Sequence, residues 1–247
     1  MLKMGFRKSF PRTGPLRRRR WWKSGGILVL LPAFLALANP PSGWAAGAPL
    51  PPPSVDPPIS AKQETAVLAG GCFWGIQAVF QHTAGVISAT SGYAGGDAKS
   101  ANYEIVSTGR TGHAESVQVV FDPSRISYGE LLRVFFSVAL DPTEVNRQGP
   151  DSGPQYRSEI FAETPRQKEI ATAYIAQLDS AKAFDKPIAT KVSDLQTFYP
   201  AEDYHQDFFA KHPAHPYIVF NDKPKVAALK QEFPDVYREK PVLLGKD

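Results

Sequence analysis

The chain has 247 residues, 28 Lys and Arg against 24 Asp and Glu, a formal net charge of +4 and one cysteine. A single cysteine excludes an internal disulfide framework and a multi-thiolate metal centre. Nine of the basic residues and none of the acidic ones fall in residues 1–48, leaving 19 basic against 24 acidic beyond, a net charge of −5; the basicity is no argument for nucleic acid.

That first segment reads as an export signal. Its basic residues run from Lys3 to Lys23, an apolar run follows over residues 25–38, broken only by Pro32, and Ala46-Gly47-Ala48 supplies the small residues a signal peptidase reads. The apolar run is shorter than the about 20 residues a comfortable membrane span needs, so no stable span is expected after cleavage. Arg18-Arg19-Arg20-Trp21-Trp22-Lys23 resembles a twin-arginine motif. Pro49 directly after Ala48 disfavours cutting there, and Ala45 is the alternative.

Residues 49–63 carry six prolines and read as an extended, solvated linker. Residues 64–240 are the size of a single catalytic domain, and 241–247 form a tail. Thr65-Ala66-Val67-Leu68-Ala69 predicts a short buried strand, and Phe73, Ile76, Val79 and Phe80 put apolar residues at helical spacing just after it. Between them stands Gly70-Gly71-Cys72-Phe73-Trp74-Gly75, where glycines let the backbone turn sharply. Further strands are expected over 86–93, 116–121 and 158–161. Ser127 should cap a helix through Val138, with Glu130 completing a capping box. Thr164-Pro165 should open another to about Leu178. The chain beyond Tyr217 is punctuated by proline and is expected to wrap the surface. Interspersed strands and helices with short connections favour a layered α+β domain.

The chemistry concentrates around Cys72. A free cysteine is most often a small core residue, but core packing needs neither flanking glycines nor an adjacent Phe-Trp pair. At the start of a helix, unpaired N–H groups and the dipole favour the nucleophilic thiolate. Four other stretches hold more polar and aromatic residues than packing needs: residues 103–115, 146–158, 198–206 and 211–217. Glu115 at a strand start would ordinarily be a solvated edge charge, and Tyr103 and Tyr156 half-buried packing residues with wet hydroxyls. The spacing of His113, His205, His212 and His215 matches no standard zinc pattern. A Cys72–His205 hydrolase has no local motif to support it.

Gly71-Cys72-Phe73-Trp74-Gly75, Thr108-Gly109-Arg110-Thr111-Gly112-His113-Ala114-Glu115, Gln155-Tyr156-Arg157-Ser158 and Ala201-Glu202-Asp203-Tyr204-His205-Gln206 together resemble the peptide methionine sulfoxide reductase A family, over about residues 65–217. The resemblance implies a two-layer α+β sandwich with a ferredoxin-like core and long surface-wrapping coil segments. It implies reduction of the S epimer of methionine sulfoxide, free or in proteins. Cys72 would attack the sulfoxide sulfur, with Phe73 and Trp74 cradling the S-methyl group. Glu115 would protonate the oxygen, Tyr103 and Tyr156 would hold it, and Asp151 would assist. Gly71, Glu202 and His205 are expected to complete the substrate site. No cofactor or metal is implied.

A sulfoxide is a poor electrophile until its oxygen is protonated, so Glu115 could serve at neutral pH only if burial raised its pKa. The product would be methionine and a sulfenic acid on Cys72. Many members of the family carry resolving cysteines near the C-terminus; here the tail has none, and Ser107 stands where relatives often have another. Reduction must then come from an external thiol: a small thiol, or a glutaredoxin-like or thioredoxin-like protein. Export to a periplasm would call for a dedicated donor there. The expected partners are oxidised proteins or peptides and that donor, with the chain itself a monomer. A thiol peroxidase would want a polar peroxide pocket in place of the aromatic pair. A module that only binds methionine peptides would have no use for Cys72 or Glu115.

Overall fold

A computed structural model describes residues 49–58 and 61–245; the expected export signal lies outside the described residues. Near-continuous apolar character makes β1 (Glu64–Gly70) a strand buried on both faces. Its alternate residues serve two clusters: Ala66 and Leu68 face the main core, Val67 and Ala69 a smaller one with Ala94, Ala114 and Phe161. After α1 (Phe73–Gln81) come β2 (Val86–Ala94), the short α2 (Tyr103–Val106) and β3 (Ala114–Phe121). Then follow α3 (Tyr128–Val134), a two-residue hairpin of β4 (Arg147–Gln148) and β5 (Asp151–Ser152), and β6 (Ser158–Ala162). The order closes with α4 (Pro165–Ser180), β7 (Lys191–Asp194), β8 (Phe198–Pro200), α5 (Phe208–Lys211) and α6 (Lys223–Glu232).

Six strands form one sheet in the order β7-β6-β1-β3-β2-β8. β3 lies antiparallel between β1 and β2, so α1 is a crossover joining two parallel strands around it. β6 pairs antiparallel with β1, and β7 parallel with β6. Helices α1, α3, α4 and α6 pack their apolar residues into the one main core against the sheet. The strand and helix expectations hold over these elements, and the fold is α+β.

Three details differ from the sequence reading. Ser127 does cap α3, its hydroxyl taking the Glu130 N–H at 3.1 Å, but the Glu130 carboxylate turns to Arg133 at 3.3 Å. The helix expected through Val138 ends at Val134 and widens into a π-helical stretch, Phe135–Ala139. The chain past Tyr217 is not surface coil: after a second wide turn, Ile218–Asp222, it forms α6, which buries Val226 and Leu229. Proline at the second position of α6 starts that helix rather than breaking it, because its missing N–H is needless there.

Residues 49–58 are extended, as their prolines require, but docked. Leu50 and Val55 pack against the core. The Pro51 carbonyl accepts from the Tyr174 hydroxyl at 2.8 Å and the Pro52 carbonyl from Gln177 Nε2 at 2.9 Å. Asp56 takes the Ser127 hydroxyl and the Gly129 N–H. Backbone carbonyls that proline leaves exposed find side-chain donors on α3 and α4 instead of water. Among the described residues, no helix is long and apolar enough to cross a membrane, and no cluster of three or more His, Cys, Asp or Glu is placed to hold a metal ion.

Candidate active site

The β1–α1 junction sets the site. Gly71 has φ +98°, a region closed to most side chains, and a Cβ there would lie 2.5 Å from Gln148 Cβ. Gln148 cannot step aside, since its amide bonds both the N–H (2.8 Å) and the carbonyl (3.0 Å) of Asp141. Gly71 therefore works through backbone shape, bringing Cys72, half-buried, to the N-cap of α1.

The start of a helix presents unpaired N–H groups, and one of them reaches Glu115. The Phe73 N–H donates to Glu115 Oε2 at 3.1 Å. Glu115 stands on β3 opposite Tyr93 of β2 and is only 2% exposed. The edge charge that glutamate's habits suggest is not what forms, because β3 is a central strand flanked on both sides. Burial, with a smaller push from Asp151, raises the carboxyl to about 8 against the pull of the Phe73 N–H. Glu115 carries its proton at neutral pH.

Cys72 goes the other way from the sequence expectation. Burial first, then the carboxylates of Glu115, Asp222 and Asp151, push the thiol well above its ordinary value, and the Trp74 N–H opposes them only weakly. The helix terminus is real but outweighed by desolvation and like charge. The Cys72 side chain rests as a thiol.

Aromatic rings enclose this pair. Trp74 stacks on Phe208 (3.8 Å between centroids, 9° between planes), and its indole N–H donates to His205 Nδ1 at 3.2 Å. Phe73 is buried against Tyr93 and His205, with centroids 5.9 and 5.0 Å away. Tyr103 opens α2, and Tyr156 ends a 3₁₀ turn after Gly153. Both phenols are pushed up chiefly by burial, and then by the negative charges of Glu115, Asp151 and Cys72, so all five groups share one site. Asp151, on β5, accepts a hydrogen bond from the Tyr217 hydroxyl. Burial raises its carboxyl, while that bond and Lys225 act against the rise.

Two further expected substrate contacts, His205 and Glu202, both bond residues of the site. His205 is 2% exposed and props Trp74 through Nδ1. Glu202 holds Tyr103, accepting from its N–H at 2.9 Å and from the Tyr93 hydroxyl at 2.9 Å. The segment carrying both is itself locked: Gln206 accepts from Gln77 Nε2 and the Ser91 N–H, and donates to the carbonyls of Ser91 and Ala201.

Two residues join the site that sequence reasoning missed. Tyr217 sets its ring edge-on to Trp74 (5.8 Å), and burial and Cys72 push its phenol up. It lies in a stretch whose polar and aromatic richness was a usable signal. Asp222 gave none, since an aspartate ahead of a Lys-Pro pair looks like an ordinary helix cap. Together the groups present a protonated acid and a thiol within one aromatic-walled recess. Such a set can protonate an oxygen while a nucleophile attacks the atom bearing it, with an apolar substituent held against the wall.

The family model described as peptide methionine sulfoxide reductase matches residues 64–237. "Peptide methionine sulfoxide reductase MsrA 2" of Mesorhizobium japonicum is 60% identical over 190 residues, covering 77% of this chain and 97% of its own length. The protein of the same name from Synechocystis sp. is 55% identical, over 75% of this chain and 89% of its own. Among solved structures, methionine sulfoxide reductase A of Corynebacterium diphtheriae superposes with TM-score 0.53 at 34% identity, over 69% of this chain and 87% of that one. Reduced Mxr1 from Saccharomyces cerevisiae gives TM-score 0.57 at 32% identity, over 65% and 92%. The chain belongs to the peptide methionine sulfoxide reductase A family and reduces methionine sulfoxide to methionine.

Proposed function

We propose that this chain is an exported, single-cysteine reductase of methionine-S-sulfoxide that repairs oxidised proteins in the periplasm. One observation carries the mechanism: a protonated Glu115 is hydrogen-bonded at Phe73 N, the residue next to Cys72. The acid on β3 is thereby held against the backbone turn that carries the nucleophile.

In this reading the substrate's S-methyl group lies against Trp74 and the edge of Phe73, and its oxygen points toward Glu115, Tyr103 and Tyr156. Cys72 Sγ attacks the sulfoxide sulfur as Glu115 protonates the oxygen. The substrate sulfur gains two electrons and becomes the thioether of methionine. The substrate's S–O bond breaks, and the sulfur–sulfur bond formed in the attack is exchanged for an S–O bond on Cys72. Cys72 loses two electrons and is left as sulfenic acid, and the thiol's proton restores Glu115. Because thiol and acid both rest protonated, the oxygen receives its proton as the thiol gives one up, and the buried site need not hold a free charge. Asp151, bonded by Tyr217, keeps the recess polar on the side of Tyr156. Two equivalents of an external thiol then return Cys72 to the thiol, releasing water and a disulfide. This chain has no second cysteine to form that disulfide itself. The donor is a small thiol, or a thioredoxin-like or glutaredoxin-like protein; the chain acts as a monomer, and no metal or bound cofactor takes part. Strand order β6-β1-β3-β2, with α1 and α3 as crossovers, supports reading the core as ferredoxin-like.

The test omits the reductant. The chain is mixed with each pure epimer of a methionine sulfoxide peptide, methionine is counted per Cys72, and sulfenic acid is trapped for mass spectrometry. About one methionine per chain, from the S epimer only, is the expected outcome. No methionine and an unmodified thiol would overturn the reading and favour a module that only binds methionine peptides.

A further inference from the structure

The mechanism leaves one buried charge unused. Asp222 ends the wide turn before α6 and is fully buried, yet neither carboxylate oxygen has a hydrogen-bond partner among the described residues. It does not cap α6, the usual task of an aspartate in that position. Its counter-charge is Lys225 Nζ, 3.9 Å from Oδ1 and beyond hydrogen-bond reach, on a side chain itself only 10% exposed. A buried pair in so loose a geometry recovers little of its desolvation cost, so stability is a poor account of it.

The pair points toward the nucleophile. Gly75, in the same first turn of α1 that Cys72 caps, has no room for a side chain: a Cβ would collide with Asp222 Oδ1 and lie 3.1 Å from Lys225 Nζ. Asp222 acts on both Cys72 and Tyr217, raising thiol and phenol. Its own carboxyl is pushed up to about 6, by burial and by Asp151, with Lys225 opposing. The ionisable groups facing the pair are thus Cys72 at the head of α1, Asp151 on β5 and Tyr217 before the turn. Glu115 on β3 faces the thiol too, and Tyr103 and Tyr156 feel its charge.

We infer that Asp222 and Lys225 are positioning residues of the reaction: lodged under the first turn of α1, the pair sets the net charge beneath Cys72 and so the ease with which its thiol loses a proton. The inference rests on Cys72 as the nucleophile. With both charges present the carboxylate raises the thiol, and the ammonium 3.9 Å from it offsets part of that charge. Removing the carboxylate leaves an ammonium that favours the thiolate, and removing the ammonium leaves a carboxylate that opposes it. The thiol titrates well above Asp222, so Asp222 is ionised throughout that range in the lysine variant.

The experiment follows the rate of Cys72 alkylation by iodoacetamide against pH in the full chain, read by mass spectrometry. Asp222→Asn should lower the midpoint by about one pH unit and Lys225→Met should raise it by about as much. Opposite shifts are the signature, since general loosening of the site would move both variants the same way. Unmoved midpoints, or shifts of one sign, overturn the inference. If circular dichroism shows either variant unfolded, Asp222→Ser or Lys225→Gln takes its place in the pair. Alkylation needs no turnover, so failure here is distinct from failure of the reductase reading, which would appear as no methionine formed.

Discussion

Glu115 behaves as it does because a central strand carries it into the interior. Its folded carboxyl holds a proton up to about 8, against an ordinary value of 4.5. Across that window the native state binds more protons than the unfolded one, so stability falls as pH rises through it. Above the window the buried carboxylate costs on the order of a few kcal/mol. Glu115→Gln keeps the shape and cannot ionise. It should melt clearly above the parent at about pH 9 and close to it at about pH 5, by calorimetry. An equal gap at both would mean the carboxyl is solvated after all. The same variant should lose roughly 10²- to 10⁴-fold in methionine formation, as a missing general acid would. The parent's kcat/KM should decline as pH passes about 8.

At the scale of elements, two connections hold the site in register. The β1–α1 turn depends on Gly71, where both the backbone angle and Gln148 forbid a side chain. Gly71→Ala should cost about 1–3 kcal/mol in urea unfolding and slow alkylation of Cys72, because the turn that presents the sulfur must distort. A variant with unchanged stability would show that the turn tolerates a Cβ. The second connection is the segment from Ala201 to Asp207, fixed to α1 and β2 by the Gln206 amide. Gln206→Ala strands several buried partners, and about 2–4 kcal/mol of stability should go with it. Trp74 fluorescence should change as well, since His205 on that segment is what its indole N–H bonds.

Over the whole molecule, both ends of the described chain are tied to the domain. Residues 49–58 lie along α3 and α4, and the tail lies across the far end of α1 from Cys72. There Asp207 accepts from the Leu244 and Gly245 N–H groups at 3.1 and 2.9 Å, and the Val242 N–H bonds the Gln81 carbonyl at 3.0 Å. α1 is nine residues long, so about 13 Å of helix separates that end from the sulfur. A chain beginning at Gln63 would keep every strand and helix. It would still lose the bonds of Tyr174, Gln177 and Arg133 to the N-terminal strap. About 2–4 kcal/mol less stability is expected in denaturant unfolding; an unchanged midpoint would return those residues to the role of a plain linker.

Much of this protein was legible without coordinates. Alternation and apolar runs marked β1, β2, β3 and β6, because burial on one or both faces of a sheet imposes a period on the chain. Ser127 and Thr164 announced their helices through the hydrogen bonds a first turn needs. Four short blocks around Cys72, Glu115, Tyr156 and His205 carried the family, and composition alone ruled out a resolving disulfide within the chain. What the sequence could not decide were quantities that depend on neighbours far along it. Whether Glu115 is wet or dry follows from which strands flank β3. Whether Cys72 rests as thiol or thiolate follows from summing desolvation, three carboxylates and one N–H, none of which is a local property. The strap's docking and the placing of α6, Tyr217 and Asp222 near Cys72 likewise come from long-range contacts. Sequence periodicity reports which face of an element is buried; only the assembled structure says against what, and electrostatics depends on the latter.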